Sequence, residues 1–96
     1  MTELLYEDGQ LKVEFSPEME GHLLWIGNIP YAIPRGILQE AARTRRGELE
    51  SKLNNLNPEI LLMAREARIN VDCIGYALSQ ARVEELEKEL SASYRR

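Results

Sequence analysis

From Asn57 to about Leu90 the apolar residues keep the period of a helix, and that stretch limits what the chain can fold into. It opens on Asn57, whose side chain can cap a helix, on Pro58, which fits the first turn, and on Glu59, which suits the positive helix end. Ile60, Ala64, Ala67, Val71, Ile74, Leu78 and Ala81 follow at alternating spacings of four and three, a sustained heptad seam. A second stripe, Leu62, Ile69, Cys73, Tyr76 and Val83, occupies a neighbouring face. A surface helix needs one apolar face; this one carries more, so it must have more than one neighbour.

Length sharpens the point. As one helix, residues 58–90 would span roughly 50 Å, whereas a 96-residue globule is roughly 34 Å across. Such a helix either projects and meets another chain, or it breaks. Asn70, Val71, Asp72 and Gly75 are modest helix formers clustered where a break would fall.

The N-terminal third reads as sheet. Leu4 to Phe15 has the alternation of a hairpin about Asp8-Gly9, a favoured two-residue turn. Centred there, the turn sets Tyr6 opposite Leu11 and Leu4 opposite Val13. Leu4, Tyr6, Leu11, Val13 and Phe15 then share one face. His22 to Ile26, bounded by glycines, predicts a third strand, with Trp25 packed on a helix or a second subunit. Asn28 to Gly36 reads as a stiff corner, because Pro30 and Pro34 hold the residues before them extended. Ile37, Leu38, Ala41, Ala42, Leu49 and Leu53 then recur at helical spacing, interrupted at Arg45 and Gly47. The tight Asn54–Asn57 link predicts that two helices fold back on each other, and Ser91 to Arg96 reads as a frayed end.

The expected fold is therefore a single α+β domain. It has a three-stranded antiparallel β-meander over residues 1–28, a first helix over 34–54 and a long C-terminal helix over 57–92, the two helices forming a hairpin.

The inventory for catalysis is poor: one His, one Cys, and only Asp8 and Asp72 as aspartates. His22 and Cys73 sit on different elements with no orienting motif, and read as an edge histidine and a small buried thiol. No pair has metal-ligand spacing, so neither a metal nor a cofactor is expected. The glutamates read as solvated, and the glycines are too scattered for a phosphate loop. A lone cysteine, with no apolar run of about 18 residues and no leader pattern, points to a cytoplasmic chain off the membrane.

Charge is uneven along the chain. Residues 1–33 are strongly acidic, with six acids against Lys12, whereas residues 34–57 carry five bases against three acids. The net charge of −4 disfavours bulk attraction to nucleic acid. Arg43, Arg45 and Arg46 form the dense basic cluster, but on a helix they fan around more than one face. Ala64, Ile69, Ile74 and Ala77 also match the packing positions of a helix-turn-helix, with Arg68 where Gly or Asn usually turns the chain. Its second helix would offer Asp72, Tyr76, Ser79, Gln80 and Arg82 to DNA.

The first functional expectation is thus a non-enzymatic protein-protein interaction module, a regulator, adaptor or structural subunit. It self-associates through Ile60, Met63, Ala67, Val71, Ile74, Leu78 and Ala81. Trp25, Tyr31, Arg43, Arg45 and Arg46 are the candidate contacts to another protein. The alternative is a helix-turn-helix-like DNA-binding regulator.

Overall fold

Two of the three hairpin turns are made by glycine, and they decide the sheet. In a computed structural model, which describes residues 1–94, strands β1 (Glu3–Asp8), β2 (Leu11–Ser16), β3 (Gly21–Ile26) and β4 (Ile29–Ile33) form one antiparallel sheet in chain order. Asp8 pairs with Leu11, so Gly9-Gln10 is the turn, with Gly9 at φ +58°. A glycine at the first central position is what a type II′ hairpin asks for. This moves the turn one residue from the Asp8-Gly9 expectation and each cross-strand partner by two: Tyr6 faces Val13 instead of Leu11. The ladder then slips between Leu4 and Tyr6. Leu5 therefore takes the buried place expected for Leu4, which is exposed.

The same device recurs at Gly27-Asn28, with Gly27 at φ +63° and Ile26 paired to Ile29. It adds a fourth strand where a stiff corner was expected. Pro30 is tolerated because β4 is an edge, where one missing donor costs little.

The helical half is more divided than its periodicity suggests. α1 (Arg35–Glu40) runs into a 3₁₀ turn at Ala41–Arg43, and α2 (Arg46–Leu56) starts afresh after an extended Arg45. α3 (Pro58–Glu66) begins as expected, with the Asn57 side chain accepting the Glu59 N–H at 3.0 Å. It ends one turn short of the Asn70–Gly75 cluster. Arg68, at φ +60°, donates to the Arg65 carbonyl while Ile69 donates to that of Ala64 at 2.8 Å. These are the two bonds of a Schellman stop, built here without the usual glycine. Asn70 Oδ1 then accepts the Asp72 N–H at 3.0 Å and starts α4 (Val71–Tyr94). The two expected helices are thus four: the first is split into α1 and α2, and the long C-terminal helix is present as α4, with residues 58–66 cut off from it as α3. Ser91–Tyr94, expected to fray, continues α4; Arg95 and Arg96 lie outside the described residues.

The molecule has two layers. Leu5, Leu11, Val13, Leu24, Ile26, Tyr31 and Ile33 of the sheet bury against Leu38, Leu49, Leu53, Ile60, Ala64, Ile74, Ala77, Leu78 and Ala81. The helices cover one face only. Where α4 passes α2, Gly75 leaves just enough room: a Cβ there would lie 3.2 Å from Leu49. At 24 residues, or about 36 Å, α4 is longer than either short dimension of the body, 27 and 22 Å.

Candidate functional site

The proposed heptad seam is largely interior. Ile60, Ile74, Leu78 and Ala81 are fully buried in the chain's own core, and Met63, Ala67 and Val71 are half-buried against it. The break at Arg68 is the cause, because it folds α3 and the first turns of α4 onto the sheet. No second copy can reach Ile60, Ile74, Leu78 or Ala81 without opening the fold.

What remains in solvent is a different line on α4. At 100° per residue Ile74, Ala77, Leu78 and Ala81 point inward, whereas Tyr76, Val83, Leu86 and Leu90 point the opposite way. Their exposures are 59%, 46%, 45% and 57%. Tyr76 and Val83 belong to the sequence's second stripe, and with Leu90 they keep a seven-residue spacing. Ser79 lies on the same line, its hydroxyl donating back to the Gly75 carbonyl at 2.9 Å. From Leu86 to Ser93 every residue is exposed, although Lys88 and Glu89 still pair with Glu3 and Arg35 of the body. At its start the face adjoins the sheet edge, where the rings of Tyr76 and Tyr6 meet edge-on at 6.2 Å. This face is the candidate site.

Beneath it, α4 is tied to the sheet by a polar contact. After Ala81 the next inward position is Glu85, which was expected among solvated carboxylates and is instead buried. His22, expected at a surface or edge, is wholly buried on β3. Its Nε2 lies 2.7 Å from Glu85 Oε2, and Arg82 donates to Oε1 at 2.6 Å. Burial alone would raise the Glu85 pKa, but the hydrogen bonds from His22 and Arg82 outweigh it and hold the carboxyl below its ordinary value. The His22 ring also leans on Phe15 at 5.4 Å, and its Nδ1 has no partner. Lys88–Glu3 and Arg35–Glu89 flank the contact at the surface. A glutamate among apolar inward positions is the one sequence signal that could have pointed to it.

The other candidate residues are scattered. Tyr31 is buried in β4 with its hydroxyl unpartnered, so it cannot meet a partner from the surface. Burial raises its pKa, with Glu59 and Glu66 adding to the shift. Trp25 packs under no helix; it lies on the open face of the sheet, donating to Glu14 at 2.6 Å beneath Lys12, 4.6 Å above its ring. Arg43, Arg45 and Arg46 are exposed where the 3₁₀ turn meets α2, and Arg46 reaches Glu50 and Asp72. Cys73, expected to be buried, is exposed.

Among the described residues no group of three His, Cys, Asp or Glu is placed to hold a metal ion, and no helix is long and apolar enough to cross a membrane. Comparison with protein families, curated proteins and solved structures finds no match to this chain.

Proposed function

We propose that this protein is a small non-enzymatic protein-binding module that works as a homo-oligomer, most simply a two-fold dimer, through the outward face of α4. One observation supports the reading: α4 carries apolar side chains on two opposed faces, and its own body covers only one. Tyr76, Val83, Leu86 and Leu90 leave about 400 Å² of mainly apolar surface in water, the size of the largest patch on an ordinary monomer, which is often functional. An isologous pair is the simplest partner for a continuous helix face, since the same stripe serves both copies. The area is about half of one side of a standard interface, so the pair is weak, with a dissociation constant of roughly 1 µM to 1 mM.

Light scattering across that concentration range tests this. The mass should rise from 11.0 kDa toward twice that value, and Leu86→Glu should hold it at one chain. A mass that stays at one chain at about 1 mM ends the proposal.

A DNA-binding regulator is the second reading, favoured by the stop at Arg68. It turns residues 58–94 into two helices joined by Ala67–Asn70 and puts Arg46 at 3.5 Å from Asp72 at the start of α4. Arg65 and Arg46 line one shallow cleft there. Set against it, Asp72 carries the same charge sign as phosphate, and Arg82 is engaged by Glu85. Filter binding against salt decides: affinity falling steeply as salt rises supports it, and no binding at low salt removes it.

A further inference from the structure

We infer that the cleft between the first turns of α2, the end of α3 and the start of α4 takes a short acidic segment of another protein, one that carries an apolar side chain. This rests on the protein-binding reading above and is separate from the pairing of α4. The cleft measures about 200 Å³, with Leu61, Ala64, Ile69 and Val71 as its apolar wall and Arg46 and Arg65 beside them. Ala64 is buried, and the other three are half-buried against the core, so the wall is firm. It offers room for one aliphatic side chain.

The arginines set the charge of the partner. Acids outnumber bases 16 to 12 in this chain, so a surface arginine has carboxylates to choose from. Arg46 takes two, Glu50 at 3.3 Å and Asp72 at 3.5 Å. Arg65 and Arg68 are exposed, and among the described residues neither pairs with a carboxylate. Glu66, next to Arg65, lines a different groove with Gln10 and Asn28. Arg65 and Arg68 are therefore the charges that an incoming segment meets.

The backbone at Arg68 is an independent observation. It sits at φ +60°, a conformation that glycine adopts without strain and arginine does not. Strain of this kind gathers at sites that use it. The Arg68 side chain has no ion-pair partner within its own chain, so its use points outside the chain.

A nucleic-acid duplex is the poorer fit. It brings one negative charge about every 1.7 Å along its axis, and Glu48, Glu50 and Asp72 stand beside the cleft to repel a polyanion of that reach. A short segment sets its carboxylates only at Arg65 and Arg68, and its apolar side chain on the wall.

Fluorescence anisotropy tests this on the full chain, with a labelled acidic peptide that has a single central leucine. Arg65→Glu should weaken binding roughly 5–30-fold, since attraction is lost and repulsion gained at one exposed site. Arg68→Gly should bind about threefold weaker while melting at a higher temperature, a combination that a purely structural role for Arg68 does not give. Serine in place of the peptide's leucine should weaken binding about tenfold. Lys12→Glu, the same charge reversal on the open face of the sheet, should change affinity less than about twofold at about 0.15 M salt, where distant charges are screened. Equal losses in Arg65→Glu and Lys12→Glu, indifference to the leucine, or no binding at about 1 mM protein overturns the inference. So does a short DNA duplex that binds more tightly than the peptide at the same salt and loses affinity in Arg65→Glu. None of these results alters the mass measurement that tests α4.

Discussion

Opposed faces of α4 make opposed predictions for one kind of substitution. Ile74→Glu places a carboxylate where the wild-type side chain is wholly buried among the helices and sheet. Losing the Ile side chain costs about 2–5 kcal/mol, and an unpaired buried charge adds several more. A domain of this length holds only about 5–10 kcal/mol, so Ile74→Glu should not fold. Leu86→Glu makes the same chemical change on the outward face, 12 residues further on, where the side chain is 45% exposed. There the monomer should change by no more than about 0.5 kcal/mol. Urea unfolding followed by circular dichroism, at a concentration too low for pairing, measures both. The expected result is no cooperative transition for Ile74→Glu and an unchanged midpoint and slope for Leu86→Glu. A folded Ile74→Glu protein, or a Leu86→Glu protein that loses its transition, would refute the assignment of inner and outer faces. On the expected result Ile74→Glu does not test self-association, because it removes the fold before it removes any pair.

Other perturbations probe single features. Arg68 sits at φ +60° in the Schellman stop, so Arg68→Gly should raise stability by about 0.5–1 kcal/mol, seen as a melting temperature about 2–8 °C higher; a lower one contradicts the stop. Tyr31→Phe removes a buried hydroxyl with no partner and should leave stability unchanged or higher by up to about 1–2 kcal/mol in urea unfolding; a loss of that size would show that the hydroxyl is bonded. Glu85 has its folded pKa depressed by His22 and Arg82. Its contribution is therefore present above the unfolded carboxyl value, about 4.3, and is lost as pH falls through the lower folded value. The stability gap between wild type and Glu85→Gln should close on acidification below about pH 4; a gap that widens there reverses the sign of the argument.

The reading of β1 and β2 as a hairpin, of Asn57-Pro58 as a helix start and of the chain as α+β came from local chemistry, which acts within a few residues. Alternation, caps and glycine turns are of that kind, and Gly27-Asn28 belongs with them: the signal for β4 was present, and the two prolines beside it masked it. Leu5 in place of Leu4 needed more, since a slip of one residue in the ladder depends on which side chains the helices accept. The stop at Arg68 was the least legible, because an arginine in a left-handed conformation goes against local preference and is held by the backbone bonds of Arg68 to Arg65 and Ile69 to Ala64. That one turn decided which apolar stripe went inside.

By itself, then, the amino-acid order determined that the C-terminal stretch is helical with more apolar surface than one neighbour can cover. Periodicity is a property of the helix alone. Only the tertiary structure decided that Ile60, Ile74, Leu78 and Ala81 serve the chain's own core and that Tyr76, Val83, Leu86 and Leu90 are left outside. It also decided that His22 and Glu85, 63 residues apart, meet at 2.7 Å. Which face of a two-faced helix is buried depends on where the sheet lies, and no spacing within the helix carries that information.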